Sequence, residues 1–147
     1  MKNLVAALLL ALVGTLGPAM LIADDGILNA NTATAEELAA IPEMDEFLVQ
    51  AVINNRPFGT ISALNERLGA DLSDEELQGL YAHVFVPINL NTADESDILL
   101  IPGVGSRMAH EFEEYRPYTS IEQFRKEIGK YVDEAEVARL EQYVTLE

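Results

Sequence analysis

Residues 101–107 read IPGVGSR, and residues 41–47, sixty positions earlier, read IPEMDEF. The first is a proline turn with two glycines; the second keeps the Ile-Pro and replaces both glycines and the serine with acidic residues. The correspondence runs outward from this stretch without a gap. LNANTA at 28–33 matches INLNTA at 88–93, Arg56-Pro57-Phe58 matches Arg116-Pro117-Tyr118, Leu68-Gly69 matches Ile128-Gly129, and Leu80 and Val84 match Leu140 and Val144. Self-similarity at one fixed offset is the signature of a duplicated unit. The sequence therefore divides into units at 28–87 and 88–147, joined with almost no linker.

Start and stop signals predict about four short helices in each unit, an all-α fold. Thr34 with Glu37, and Asp94 with Asp97, place an acceptor oxygen at the start of the first helix and a carboxylate three residues on. Pro42 and Pro102 end that helix, because the residue before a proline is steered away from helical geometry. Second helices follow at about 46–55 and 106–115 and stop at Arg-Pro. Ser120 with Gln123 predicts a capping box for a third helix closed by Gly129, as Gly69 closes its counterpart. Ser73 with Glu76, and Asp133 with Glu136, open the fourth. The inward face in the second unit is Ile98, Ile101, Met108, Phe112, Ile121, Phe124, Ile128, Val137, Leu140 and Val144. VFVPINL at 84–90 reads as an apolar connection and not as a strand.

Residues 1–23 carry one positive charge, Lys2, then an apolar run from Leu4 to Leu16 and the small or turn-forming Gly17, Pro18 and Ala19. This is the layout of a secretory signal peptide cleaved after Ala19 or Ala23. The rival reading is an uncleaved anchor over 4–23, a length sufficient to span a bilayer. Both place the remainder in the periplasm or another extracytoplasmic space, with Asp24 and Asp25 outside. There is no cysteine, so neither disulfides nor thiolate metal sites are available. The chain has nine basic and 25 acidic residues, a formal charge of −16; losing Lys2 with the leader leaves eight basic residues and −17. That sign repels nucleic acid and anionic lipid at long range.

Helix, P-G-V-G turn, helix resembles the helix-hairpin-helix family. The order I-N-x-N-T-A, helix, I-P-G-V-G, helix, R-P-Y and a closing helix pair is similar to the ComEA-type competence DNA receptor module, present here as two tandem copies. The resemblance implies an exported protein that holds duplex DNA through its sugar-phosphate backbone without reading sequence, in DNA uptake. The phosphate-binding set it implies is Gly103, Val104, Gly105, Ser106 and Arg107, with Lys130 at the second glycine-containing turn. The physical logic is independent of the family. Glycine allows positive φ and close approach of an anion, and free N–H groups at a helix N-terminus, aided by the helix dipole, attract one.

The same stretch of the first unit, with Glu43, Asp45 and Glu46, would meet a phosphate with carboxylates. The second unit as a whole has six basic and thirteen acidic residues, a charge of −7. Binding to duplex DNA is accordingly expected to be weak and salt-sensitive. The alternative is an acidic exported protein-interaction module that has kept the fold without the nucleic acid; the extrinsic subunits of photosystem II resemble this fold too. No enzymatic activity, cofactor or metal is expected. His83 and His110 lack a second ligand at helical spacing, EFEE at 111–114 and SDEE at 73–76 read as helix faces and caps, and no D-x-D-x-D-G loop is present.

Overall fold

The computed structural model describes residues 26–147; the leader at 1–23 lies outside the described residues. In chain order the elements are β1 Leu28–Asn29, α1 Ala35–Ala39, α2 Glu46–Asn54, α3 Ile61–Leu68, α4 Asp74–Tyr81 and β2 Val84–Phe85. There follow β3 Ile88–Asn89, α5 Glu95–Ile98, α6 Ser106–Glu114, α7 Ile121–Ile128, α8 Glu134–Glu141 and β4 Val144–Thr145. The second helix of each half lies within a residue of its expected bounds. The connection at 84–90 differs from expectation: its ends form two parallel pairs, β1 with β2 and β3 with β4, each two residues long. Such bridges are too short for alternation to reveal, and the fold remains helical.

Capping follows the sequence in most places. Thr34 and Ser73 form capping boxes with Glu37 and Glu76, and Asp45, Thr60, Ser120 and Asp133 each accept one amide of the first turn. The Ser120–Gln123 box is only half made, because the Gln123 side chain accepts from the Thr119 amide instead. Gly69 and Gly129 end their helices in ordinary right-handed geometry. A Cβ there would lie 2.8 Å from the Asn65 carbonyl oxygen and 2.7 Å from that of Arg125. Close packing, not left-handed φ, selects these glycines.

Asp94 makes no side-chain cap on α5, contrary to expectation, and Asp97 points away from its own helix. Asp97 is 5% exposed. Its carboxylate accepts from the amide (3.1 Å) and hydroxyl (2.5 Å) of Ser62 in the first turn of α3. It thus caps a helix of the other half, where the helix dipole favours negative charge. The halves are joined elsewhere by apolar packing. The Tyr143 hydroxyl donates to the Tyr81 carbonyl at 2.9 Å, and Phe85 meets the rings of Tyr143 and Tyr81 edge-on at 4.8 and 5.6 Å. All the buried apolar side chains form one cluster spanning both halves. Burying one such aromatic contributes about 1.5–3 kcal/mol, so removing one half would cost the other the burial of these rings.

The recurring Asn and Arg-Pro motifs have a structural role. Asn91 pairs with the backbone of Tyr118 through both amide atoms, at 2.9 and 2.6 Å, as Asn31 does with Phe58 at 2.9 and 2.7 Å. Arg116 donates to the carbonyls of Leu90 (2.5 Å) and Ala93 (2.7 Å), and Arg56 to those of Ala30 (2.6 Å) and Ala33 (2.5 Å). Each motif pins the segment before the first helix of its half, 30–33 or 90–93, against the turn after the second helix. Arg116 is thereby turned inward, to backbone carbonyls.

Candidate nucleic-acid interface

The turn between α5 and α6 is set by one buried side chain and one unusual backbone angle. Val104 is buried, and its N–H donates to the Ile101 carbonyl at 3.1 Å. Met44 is buried likewise and bonds to Ile41 at 3.2 Å. With Val104 plugging the core, Gly103, Gly105, Ser106 and Arg107 are exposed around it. The Val104 side chain therefore positions the turn, and its amide is bonded within the turn.

The two glycines differ. Gly103 has φ +80°, and its counterpart Glu43 adopts φ +72°. Position 103 thus requires left-handed backbone in both halves, at a cost of roughly 1–2 kcal/mol for a side-chain-bearing residue such as Glu43. Gly105 has φ −100° and ψ 177°, close to the −77° and 171° of Asp45, and a Cβ on it would meet nothing within 4 Å. Nothing in the turn demands glycine at 105.

What glycine removes at 105 is a cap. In the first half the Asp45 carboxylate accepts the Leu48 amide at 2.8 Å. In the second half α6 has no side-chain cap. Among the described residues the N–H groups of Gly103, Gly105, Ser106, Arg107 and Met108 find no protein acceptor. Asp45 thus fills with its own carboxylate the position that α6 leaves open, a position suited to an external anion.

The side chains around the hairpin are unequally available. Of the six cations of this half, Arg116 pairs with Glu113, Arg125 with Glu141 and Glu122, Lys130 with Glu127, and Arg139 with Glu136. Arg107 and Lys126 have no ion pair among the described residues, and only Arg107 adjoins the hairpin. Lys130 is held elsewhere. Its ammonium, with its pKa raised by the hydrogen bond to Glu127, lies 5.0 Å over the ring of Tyr115. Tyr115 is the C-cap of α6 and Gly105 its N-cap, ten residues or about 15 Å apart along the helix. The structure does not bring Lys130 to the hairpin.

Two residues that sequence reasoning left out do reach it. The Arg139 guanidinium lies 3.3 Å from the place a Cβ on Gly103 would occupy. Glu136 grips it at 2.8 and 2.6 Å, and the ion pair holds the Glu136 carboxyl below the usual range. The signal was present in the repeat: where the first half has Glu43 and Gly79, the second has Gly103 and Arg139. Tyr131, 42% exposed, lines a groove with Gly105, Arg107, Met108 and Glu111. Its counterpart is Asp71. Among the described residues no group of three or more His, Cys, Asp or Glu is placed to hold a metal.

Two helices joined by a tight turn that leaves backbone amides open at the second N-terminus form a helical hairpin. Residues 83–145 match the family model described as helix-hairpin-helix motif, so the C-terminal half carries that motif, which is consistent with nucleic-acid binding in general. No curated protein and no solved structure matches the chain.

Proposed function

We propose that this chain is an exported protein that holds duplex DNA without sequence preference through the hairpin at Gly103–Arg107, in the manner of the competence receptors it resembles, and serves in DNA uptake. The observation that carries the reading is the uncapped α6, whose open amides stand where the other half places the Asp45 carboxylate. Amide and arginine contacts to phosphate position a duplex and read no bases. In this reading residues 28–87 are a degenerate second copy, kept because it supplies half of the shared core and the Ser62 donors that pair α5's buried acid, and residues 1–23 export the chain.

The charge of the molecule sets the strength of binding. One hairpin neutralises a few phosphates, so affinity is low and falls with salt along a shallow slope. Fluorescence anisotropy with labelled duplex at low and moderate salt tests this, with Arg107→Glu as the control. Binding at low salt that Arg107→Glu abolishes supports the proposal; absence of binding at low salt, or indifference to the substitution, refutes it. The second reading, an acidic module that docks an exported protein, draws on the first half, where Glu43, Asp45 and Glu46 surround a Phe47 that is 59% exposed. It becomes the leading reading if the duplex does not bind.

A further inference from the structure

We propose that the groove beside the hairpin receives an unpaired nucleotide, so that the DNA held is a duplex with a single-stranded end; this rests on the hairpin reading above. Gly105, at the centre of the open amides, and Tyr131 line the same groove. A strand held by those amides runs along the groove toward the tyrosine. The ring is held in place, because its hydroxyl is hydrogen-bonded to that of Tyr115 at 2.7 Å. An exposed aromatic held beside a phosphate site is the arrangement on which single-strand binders stack bases.

Glu111 lines the remaining wall, and the hydrogen bond to Tyr115 and then the Glu111 carboxylate raise the pKa of the Tyr131 hydroxyl and keep the ring beside the groove. Arg107, without an ion pair among the described residues, faces the same groove and supplies the charge for a neighbouring phosphate. The first half has Asp71, Ala51 and Phe47 in place of Tyr131, Glu111 and Arg107. The stacking ring and the cation thus occur only in the half whose helix is uncapped. A paired and stacked base inside a duplex cannot lie on Tyr131; an end or overhang can supply one.

The full chain is titrated against a labelled blunt duplex and the same duplex with a short overhang. The overhang is expected to tighten binding about tenfold, the size of one base–aromatic stack. Tyr131→Ala removes that difference, lowering affinity for the overhang more than for the blunt duplex, while Tyr131→Phe, which keeps the ring, preserves most of it. Equal affinity for the two duplexes, or an equal loss on both with Tyr131→Ala, overturns the groove while leaving the hairpin standing. No binding to either duplex overturns both.

Discussion

Replacing Gly105 with aspartate separates the demands of the fold from those of the ligand, because the two respond with opposite sign. The backbone at 105 already has the geometry of Asp45, and nothing lies within 4 Å of an added Cβ. An aspartate there accepts the Met108 amide as Asp45 accepts that of Leu48. The cap itself adds a few tenths of a kcal/mol over glycine, the carboxylate at the helix N-terminus about 0.3–1, and the stiffer unfolded chain about 0.4–1. Repulsion within an acidic protein offsets part of this, leaving a gain of about 1 kcal/mol. For a folded region of this size that raises the Tm by roughly 3–5 °C. The same carboxylate occupies the donors that a phosphate needs, so duplex affinity falls at least about tenfold. Thermal melts by circular dichroism and anisotropy titrations at low salt measure the two effects on one sample. A variant that is less stable would show that the turn needs glycine at 105. One that is more stable but binds DNA unchanged would show that the open amides hold no phosphate.

Further outcomes are expected at neighbouring sites. Asp97→Ala leaves α3 its Thr60 cap but takes away the acceptor of the Ser62 amide and hydroxyl; loss of hydrogen bonds to a charged group is expected to cost about 2 kcal/mol in urea denaturation, with the unfolding midpoints of both halves moving together. Arg116→Lys cannot reach both carbonyls with one fork, so it lowers stability by about 1–2 kcal/mol while the affinity of the folded fraction for duplex stays the same. Glu136→Gln releases Arg139 beside Gly103 and is expected to raise duplex affinity about twofold to fivefold at low salt, an increase of the size one added phosphate contact gives. The Glu136 and Glu141 carboxyls both lie below the ordinary glutamate range, through hydrogen bonds from Arg139 and Arg125 respectively. Their contribution is therefore complete above that range and lost as pH falls through the lowered values. Since both pairs are largely solvated, the loss seen in acid titration of stability is small and shrinks further with added salt.

The repeat made the hairpin legible, because IPGVGSR and IPEMDEF stand at equivalent places in one chain. Helix positions and most caps were legible for a local reason: a cap, a proline and a helical stripe act over a few residues, within reach of sequence patterns. Functions of side chains that act across the fold were not. Arg139 lies 36 positions beyond Gly103, and only the packing of α8 brings it to the turn. Asp97 looked like part of a local cap and instead serves a helix of the other half. Lys130 looked like a helper of the hairpin and is drawn away by Glu127 and Tyr115.

The sequence by itself determined that the chain is built of short capped helices and that one of its two proline turns carries no carboxylate at its tip. It left the two glycines of that turn equivalent. The tertiary structure separated them, since backbone angles depend on how Val104 is seated in the core: position 103 must be left-handed, and position 105 need not be glycine at all. It also decided that both halves share one core, because Phe85 and Tyr81 of the first pack against Tyr143 of the second. The open amides of α6 were settled by neither alone: the sequence supplies a glycine at 105, and the folded backbone sets it in the N-cap geometry that Asp45 has in the other half.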